Sequence, residues 1–433
     1  MTDEVVSGPA DRPASKMRSD IALLYAARGV RGFGDGFAII ILPAYLTAIG
    51  YDPAQIGLVA TASLMGTALL TLAIGTIAAR YDLRALLLAG AFLMACTGLA
   101  FPNVEQFAFV ALVAFVGTIN PSTGDLGVLV PIEHAMLAHG VTDQERTRTF
   151  ARYSLIGALS MAAGSLAAAA PDFLSLAGIG TVSAFKLMFY AYALLGVLSA
   201  LLYRRLPHAQ MDAPRVSAPL GPSRGVVYKL SALFSLDAFA GGFVVQSLLA
   251  LWLFERYDLS LSAAGLFFFW ASTASAFSFP VAAWLATRIG LINTMVYTHI
   301  PSSILLILAA FSTNLYVTLG LLLLRSALSQ MDVPTRTSYV MAVVTPPERA
   351  AAASFTAVPR SLASAISPAF AGVLLTTSFT GLPLVVCGVL KIVYDVALLF
   401  SFRHTKPPEE QARNQNASDG LVRYRKPEHQ ADG

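Results

Sequence analysis

The sequence predicts an all-α integral membrane protein whose twelve transmembrane helices form two pseudo-symmetric six-helix bundles. Three observations predict this fold: the composition, the number of long apolar runs and an internal repeat. Of the 433 residues, 56% are hydrophobic and only 12% are charged, and the mean hydropathy is +0.66. Soluble domains average about 25% charged residues. The composition therefore excludes a soluble globular fold.

Twelve apolar runs are long enough to cross a bilayer, because a transmembrane helix needs about 20 apolar residues. Spans 1 to 12 are predicted at residues 22–48, 55–79, 84–102, 106–133, 150–171, 184–203, 229–254, 263–286, 291–312, 315–343, 351–377 and 381–402. An even number of spans places both termini on one side of the membrane. Arginine and lysine concentrate in the two tails and in the loops after even-numbered spans. The positive-inside rule therefore predicts that both termini are cytoplasmic.

The longest polar connection contains four prolines and divides the spans six plus six. The predicted domains are a cytoplasmic N-terminal tail (1–20), an N-terminal bundle (21–203), a cytoplasmic central loop (204–227), a C-terminal bundle (228–402) and a cytoplasmic C-terminal tail (403–433). The N-terminal tail is polar and contains acidic residues, unlike a cleavable signal peptide. We therefore expect span 1 to act as an uncleaved signal anchor.

The two halves share short matches in the same order, at a shift of just over two hundred residues. The matched pairs include Tyr51-Asp52 with Tyr257-Asp258, Gly57-Leu58 with Gly265-Leu266, and Lys186 with Lys391. Parallel six-helix repeats, with a binding site near the membrane midplane between them, are typical of one architecture of secondary transporter.

The loop after span 2 reads GTIAARYDLR over residues 75–84, and its counterpart in the second half reads AWLATRIG over residues 283–290. With the repeat, these loops make the chain from about residue 20 to 403 resemble the major facilitator superfamily. In that family the loop latches the cytoplasmic side, a role that the resemblance gives to Arg80, Arg84 and Arg288. The aspartate of the family motif is replaced here by Ala79 and Thr287.

Polar residues inside the apolar runs concentrate in spans 1, 4, 7 and 10, which by resemblance line a central cavity. They are Arg28, Arg31 and Asp35 in span 1, Asn120 and Asp125 in span 4, Asp237 and Gln246 in span 7, and Arg325, Gln330 and Asp332 in span 10. Charges within a bilayer are tolerated where they face a polar or water-filled interior. We therefore predict substrate-binding roles for Arg28, Asn120, Gln246, Arg325 and Gln330.

Arg28, Arg31 and Asp35 are spaced i, i+3 and i+7, so they share one face of a helix. Counting along span 1 at about 1.5 Å per residue places Asp35 near mid-membrane. A carboxylate in an alternately wetted cavity can change its protonation as access switches. We therefore predict that Asp35 couples transport to protons, with Arg31 adjusting its protonation. The open alternative is a static Arg31–Asp35 ion pair that only holds helices together.

Asp125 and Asp237 lie toward the cytoplasmic ends of their spans, so we predict that they form gate salt bridges. Asp332 shares a helical face with Arg325 and is also assigned to gating, with Arg80, Arg84 and Arg288. Lys391 and Asp395 are one turn apart in span 12 and are predicted to neutralise each other. Glu133-His134 lacks a third ligand nearby, so no metal is expected.

The sequence predicts a secondary active transporter that moves a small organic solute by alternating access, coupled to protons and exporting the solute. We expect a monomer in a bacterial inner membrane, with no cofactor, no enzymatic activity and no nucleic-acid partner. One alternative is a carrier of an anionic metabolite that uses Arg28, Arg31 and Arg325 as an arginine clamp. An alternative of another class is a sensor or scaffold that binds a ligand without transporting it.

Overall fold

A computed structural model of the chain describes residues 14–77, 80–122, 127–139, 143–209 and 220–403. The regular structure over these residues is helical, and ten of their helices are long and apolar enough to cross a membrane. The helices are α1 (Ala14–Ala48), α2 (Pro53–Ile77), α3 (Leu83–Ala100), α4 (Phe107–Val116), α5 (Val130–His139), α6 (Asp143–Ala167), α7 (Ala170–Leu176), α8 (Thr181–Tyr203), α9 (Arg224–Gly242), α10 (Gln246–Tyr257), α11 (Leu261–Ile289), α12 (Leu291–Phe311), α13 (Leu315–Ser329), α14 (Asp332–Val343), α15 (Arg349–Leu375) and α16 (Leu382–Phe402).

Spans 4 and 10 are broken, so the prediction of one continuous helix for each was wrong. In span 4, α4 ends at Val116, the backbone of the next residue, Gly117, is extended, and Pro121 follows in a described stretch that is not helical. Proline lacks the amide hydrogen that a continuing helix would need. In span 10, α13 ends at Ser329 and α14 begins at Asp332, with Pro334 in its first turn, where proline is tolerated.

The other ten spans lie within about five residues of their predicted limits, except that α1 and α6 begin earlier, at Ala14 and Asp143. Spans 5 and 7 each consist of two helices, α6 with α7 and α9 with α10, that together cross the membrane. Ten helical crossings and two broken spans are consistent with the predicted twelve spans.

In the N-terminal half, the backbones of α1 and α6 approach closely at small residues. A Cβ atom at Gly36 would lie 2.1 Å from the Met161 carbonyl oxygen, and one at Gly164 would lie 2.0 Å from that of Phe33. Close backbone packing of this kind needs glycine or another small residue at the contact. This close packing fixes the rotation of α1 about its own axis, and with it the direction of the face that carries Arg28, Arg31 and Asp35.

The two halves meet mainly along α2 with α15 and α6 with α11. Thr61 Oγ1 accepts a hydrogen bond of 2.8 Å from the Ala369 amide. Asp172 accepts bonds from the Ser262 amide (2.9 Å) and hydroxyl (2.7 Å). These contacts lie toward the side opposite to the start of α1 and the end of α16, which we call the far side. The bundles are therefore in close contact at the far side.

Candidate functional site

A buried cluster around Glu133 joins three spans of the N-terminal half. The Glu133 carboxylate, fully buried, accepts hydrogen bonds from Arg31 and Tyr153, and from Tyr203 at 2.6 Å. Arg31 on α1 therefore forms its salt bridge with Glu133 on α5. The open alternative of an Arg31–Asp35 ion pair is not what the structure contains.

Arg28, one turn before Arg31, is held in place by α6. Its guanidinium lies 5.1 Å from the centroid of the Tyr153 ring, a distance at which a cation and an aromatic face attract each other. A Cβ atom at Gly157 would lie 2.3 Å from Arg28 Nε, so only glycine leaves room for the guanidinium. Arg28 is 3% exposed.

Asp35 has a different environment, because the neighbour it contacts is a neutral one. The hydroxyl of Tyr192 on α8 donates to Asp35 Oδ1 at 3.3 Å, and it also lies 3.1 Å from the hydroxyl of Thr118. Among the residues that the structure describes, no basic side chain forms a salt bridge with Asp35. Residues of span 1 that share one helical face therefore have different partners: Arg31 pairs with Glu133, whereas Asp35 contacts Tyr192.

Arg28, Arg31 and Asp35 all line one polar cavity in the N-terminal half, with a volume of about 30 Å³, enough for water. Its polar lining is completed by Thr67, Thr118, Asn120, Ser122 and Tyr192. Methionine and aliphatic side chains, including Met94 and Met161, form the rest. The cavity is therefore a polar pocket large enough for water, with one carboxylate that forms no salt bridge among the described residues.

Of the other predicted substrate-binding residues, only Asn120 lines this cavity, and its side chain accepts a 2.9 Å bond from the Ser122 amide. Gln246 begins α10, beside the point where the Ser247 amide donates to the Pro121 carbonyl of the other half, at 3.1 Å. Arg325 lies on α13 and Gln330 just after it. The structure does not bring these three residues to the cavity that Arg28, Arg31 and Asp35 line.

The predicted gating residues lie in several places. Arg80 and Arg288 are exposed, and the Arg288 guanidinium lies 5.4 Å from the Trp284 ring centroid. Arg84 contacts His208 of the central loop, at 3.3 Å between Nη1 and Nε2. Asp125 lies outside the described residues.

Asp82, in the loop after span 2, holds the central loop by hydrogen bonds. It accepts a bond of 2.9 Å from the Ala209 amide and lies 2.6 Å from His208 Nδ1. Hydrogen bonds from Ala209 and then His208 outweigh the effect of its partial burial, so the pKa of Asp82 is lowered. The loop after span 2 therefore holds the central loop in this structure.

Asp237 and Asp332 belong to a second buried cluster, in the C-terminal half. Asp237 lies 3.0 Å from Arg336 and 2.7 Å from Lys391, and Arg336 also pairs with Asp332 at 3.2 Å. The predicted neutralisation of Lys391 by Asp395 was wrong, because Asp395 instead contacts His299 at 3.0 Å. The prediction that Arg325 and Asp332 share one helical face was also wrong, because Arg325 lies on α13 and Asp332 begins α14.

Sequence reasoning missed the partners that complete both clusters, namely Glu133, Tyr153, Tyr192, Tyr203, His299 and Arg336. The repeat offered a signal for part of this set. Arg31 pairs with Glu133 between spans 1 and 4, and Asp237 pairs with Arg336 between spans 7 and 10. Both members of the second pair lie just over two hundred residues after the first, with the charges exchanged.

The part of the chain that the structure describes contains no group of three or more histidine, cysteine, aspartate or glutamate residues that could hold a metal ion. Glu133 is instead engaged by an arginine and two tyrosines. Its neighbour His134 lies against the rings of Phe150 and Tyr153.

Comparison with protein families and known proteins gives consistent matches over nearly the whole chain. The model described as Major Facilitator Superfamily matches residues 24–237 and 230–427. The chain is 24% identical over 421 residues to the uncharacterised membrane protein YJR124C of Saccharomyces cerevisiae, which covers 88% of this chain and 94% of the yeast protein.

Solved structures with a similar fold are transporters. A bacterial homologue of the human lysosomal transporter Spinster, in an inward-facing and occupied conformation, aligns with a TM-score of 0.70 at 15% identity, over 91% of this chain and 98% of that one. The nucleoside transporter NupG aligns with a TM-score of 0.70 at 15% identity, over 89% of this chain and 99% of NupG. At this identity the likeness shows the fold.

Proposed function

The chain belongs to the major facilitator superfamily, and we propose that it exchanges protons for a small organic solute through the cavity beside Asp35. Membership of this family makes it a multi-pass membrane transporter rather than an enzyme. The proton, the direction of transport and the class of solute are our proposal. The observation that carries it is the carboxylate of Asp35, which lines a polar cavity and contacts a tyrosine instead of a cation.

Protonation and solute binding would influence each other at Asp35, because its carboxylate lines the cavity that we propose the solute enters. A solute that donates hydrogen bonds, or carries positive charge, binds more tightly when Asp35 is ionised, and the other polar residues of the cavity hold it more weakly when Asp35 is neutral. With binding linked to protonation in this way, inward movement of protons drives outward movement of solute. We therefore propose export.

Alternating access requires that the contacts at the far side open. Those contacts include polar ones, as where Asp172 meets Ser262 and Thr61 meets the Ala369 amide, and an apolar cluster to which both halves contribute. We propose that the structure represents the state closed at the far side, and that these contacts open when the bundles rock against each other.

The anionic alternative has less support in the geometry. A clamp of Arg28, Arg31 and Arg325 needs all three guanidinium groups to reach one solute. Arg31 is engaged by Glu133, and Arg325 is not among the residues that line the cavity. An anionic solute would also face the carboxylate of Asp35.

For orientation, we propose that both termini are cytoplasmic, because the positive charges concentrate in the tails and even-numbered loops. The predominance of arginine over lysine and the abundance of alanine support a bacterial inner membrane as the location. We propose a monomer as the functional unit, since both halves of the repeat are present in one chain.

The function is tested in two steps with purified protein in detergent and in liposomes. Small organic solutes, cationic and anionic, are first screened for thermal stabilisation in acidic and in alkaline buffer. A solute that exchanges with protons stabilises the protein more in alkaline buffer, where Asp35 is ionised. Counterflow of that solute across liposomes then distinguishes a transporter from a sensor or scaffold, which binds but gives no counterflow.

Asp35→Asn separates coupling from binding. We expect this variant to lose solute movement driven by a proton gradient while solute-for-solute counterflow persists. Asp52→Asn is the matched control, because Asp52 is an exposed carboxylate that accepts a bond from the Gln55 amide at 2.8 Å at the start of α2. If Asp35→Asn keeps proton-driven movement, or if Arg31→Ala instead removes binding of an anion while coupling persists, the proposal is wrong.

A further inference from the structure

Six side chains of the C-terminal half form one continuous series of polar contacts, which we call the polar chain. In order, its members are Asp332, Arg336, Asp237, Lys391, His299 and Asp395. The successive distances between their nitrogen and oxygen atoms are 3.2, 3.0, 2.7, 3.1 and 3.0 Å. These residues come from spans 7, 9, 10 and 12, so the polar chain crosses the interior of the C-terminal bundle.

The polar chain contains one more acid than it has permanent bases. Within the polar chain itself, three carboxylates are matched by two fixed cations, Arg336 and Lys391, so with neutral His299 its own net charge is about −1. Arg360, outside the polar chain, also interacts with Asp237 and Asp332. The end of the polar chain formed by His299 and Asp395 is buried, since Asp395 is 0% and His299 is 2% exposed. A net charge without water to solvate it is costly inside a membrane protein. One additional proton makes the polar chain neutral.

The contacts of His299 show where that proton can be held. Lys391 can only donate hydrogen bonds, so His299 Nε2, which lies 3.1 Å from Lys391 Nζ, accepts. The ring proton of neutral His299 is therefore on Nδ1, which donates to the Asp395 oxygens at 3.0 and 3.1 Å. In this arrangement Nε2 is a vacant proton position that already accepts a hydrogen bond from an ammonium group.

We propose that the C-terminal bundle binds a proton of its own, received through Lys391 and held by the His299–Asp395 pair. Lys391 passes one Nζ proton to His299 Nε2 and regains a proton from water, while the Nδ1 proton stays bonded to Asp395. One proton is taken from water, and the net charge of the polar chain changes from about −1 to zero. This site is separate from Asp35, which lies in the other bundle, and it does not depend on the function proposed above.

The exposures of the side chains indicate where water can reach the polar chain. The Lys391 side chain is 12% exposed, compared with 2% for His299 and 0% for Asp395. A Cβ atom at Gly241 would lie 3.9 Å from Lys391 Nζ, so the absence of a side chain there leaves space beside the ammonium group. Lys391 is therefore the member through which water can reach the His299–Asp395 pair.

Other titratable or charged groups on the elements around His299 would influence this proton. The Tyr394 ring packs edge-on to the imidazole, with 6.0 Å between centroids, and Asp237 lies 3.8 Å from Nε2. The remaining charged or titratable groups on neighbouring helices are Asp332 and Arg336 on α14, Arg360 on α15, Arg325 on α13, Arg288 on α11 and Cys387 on α16. Asp395 and Lys391 are the two that contact His299 directly on its two ring nitrogens.

The proposal is tested by nitrogen NMR of the full chain with ¹⁵N-labelled histidine, titrated from alkaline to acidic buffer. The chain has six histidines, and the signal of His299 is the one that is missing in His299→Gln. We expect His299 to show a single Nδ1–H tautomer in alkaline buffer, and a doubly protonated imidazole after acidification. The other histidine signals report that the fold is intact.

Three variants decide whether the polar chain is responsible. Asp395→Asn is expected to abolish the doubly protonated His299 signal, and Lys391→Met to restore a mixture of tautomers in alkaline buffer. Asp35→Asn should leave all His299 signals unchanged, because it lies outside the polar chain. The inference is overturned if wild-type His299 never becomes doubly protonated while the protein stays folded, if it shows mixed tautomers in wild type, or if Asp395→Asn leaves its titration unchanged.

Discussion

At the scale of single residues, burial distinguishes two ion pairs of the N-terminal half. The Arg31–Glu133 pair is sealed, with side-chain exposures of 5% and 0%. The Lys186–Glu105 pair, at 3.3 Å, is open to solvent, with exposures of 30% and 69%. Breaking a buried pair leaves a charge without a partner or water, whereas an exposed charge remains solvated.

Glu133→Gln is therefore expected to destabilise the protein by about 3–5 kcal/mol. The variant leaves the Arg31 guanidinium without its carboxylate and weakens the bonds from Tyr153 and Tyr203. The measurement is thermal unfolding in detergent. Glu105→Gln is the matched control, with an expected change of about 0–1 kcal/mol. Equal shifts in the two variants would show that Glu133 has no special role.

The stability of the loop between α14 and α15 is expected to depend on pH through Glu348. Hydrogen bonds from Ser223, then from Thr345 and the Gly221 amide, lower the pKa of Glu348 from 4.5 to about 2. Because the folded-state pKa is below the unfolded one, the ionised carboxylate stabilises the fold above the unfolded pKa. That contribution is lost as the pH falls from about 4.5 toward about 2.

The comparison of wild type with Glu348→Gln measures this contribution. At neutral pH the wild type should have the higher melting temperature, and the difference should shrink through the acid range. Glu105→Gln, which removes an exposed carboxylate, should show no such change. A difference between wild type and Glu348→Gln that stays constant with pH contradicts the assignment.

The sequence predicted which residues of span 1 share a face, but it did not predict their partners. Helical spacing alone brings Arg28, Arg31 and Asp35 to one cavity. Spacing within one helix says nothing about which residue of another span lies opposite. Glu133 was considered only for metal binding, because its contacts with Arg31, Tyr153 and Tyr203 exist only after three spans have packed.

At the scale of helices, small residues set how closely the two bundles approach. On α2, a Cβ atom at Gly57 would lie 2.5 Å from the Pro368 carbonyl oxygen and 2.8 Å from the Gly372 Cα atom. On α15, a Cβ atom at Gly372 would lie 2.5 Å from the Pro53 carbonyl oxygen. The backbones of α2 and α15 therefore touch at the far side, and no side chain fits between them.

Gly57→Leu is expected to separate the bundles at the far side and to reduce transport. Spin labels at Ser175 and Ser378, both exposed at the far side, should give a longer distance in this variant, in a chain whose two native cysteines are replaced. Gly75→Leu is the matched control on the same helix, because a Cβ atom there would meet nothing within 4 Å. Equal distances in the two variants would contradict a close contact at Gly57.

Helix limits were predicted well wherever a span is one helix, and less well where it is broken. Hydropathy is averaged over about 20 residues, so a short non-helical segment inside an apolar run leaves no signal in it. The residues that could have indicated the two breaks are single ones: Gly117 and Pro121 in span 4, and Pro334 in span 10. Such residues allow a break without requiring one, because neighbouring helices can supply the missing bonds.

At the scale of the whole molecule, the two halves of the repeat each have an ion pair at equivalent positions, but the acidic and basic residues are exchanged. Arg31 with Glu133 and Asp237 with Arg336 occupy equivalent spans of the two halves, with opposite polarity. Each pair joins the first span of its half to the fourth, which is the broken one in both cases. We infer that these pairs hold the broken spans in register within each bundle.

The central loop is fastened to both bundles at the side where the described chain begins and ends. His208 and Ala209 are held by Asp82 of the N-terminal half, while Gly221 and Ser223 are held by Glu348 of the C-terminal half. The described ends of the central loop are therefore attached to different bundles. Releasing one of them with Asp82→Ala is expected to speed protease cleavage of the loop without lowering counterflow.

The measurement that tests the account most directly is proton movement into liposomes, followed with a pH-sensitive dye in the lumen while a gradient of the identified solute is imposed. For the wild type we predict proton movement opposite to the solute, in proportion to the solute gradient. For Asp35→Asn we predict counterflow of solute with no proton movement in response to the gradient. Solute movement without protons in the wild type, or unchanged proton movement in Asp35→Asn, would contradict the account.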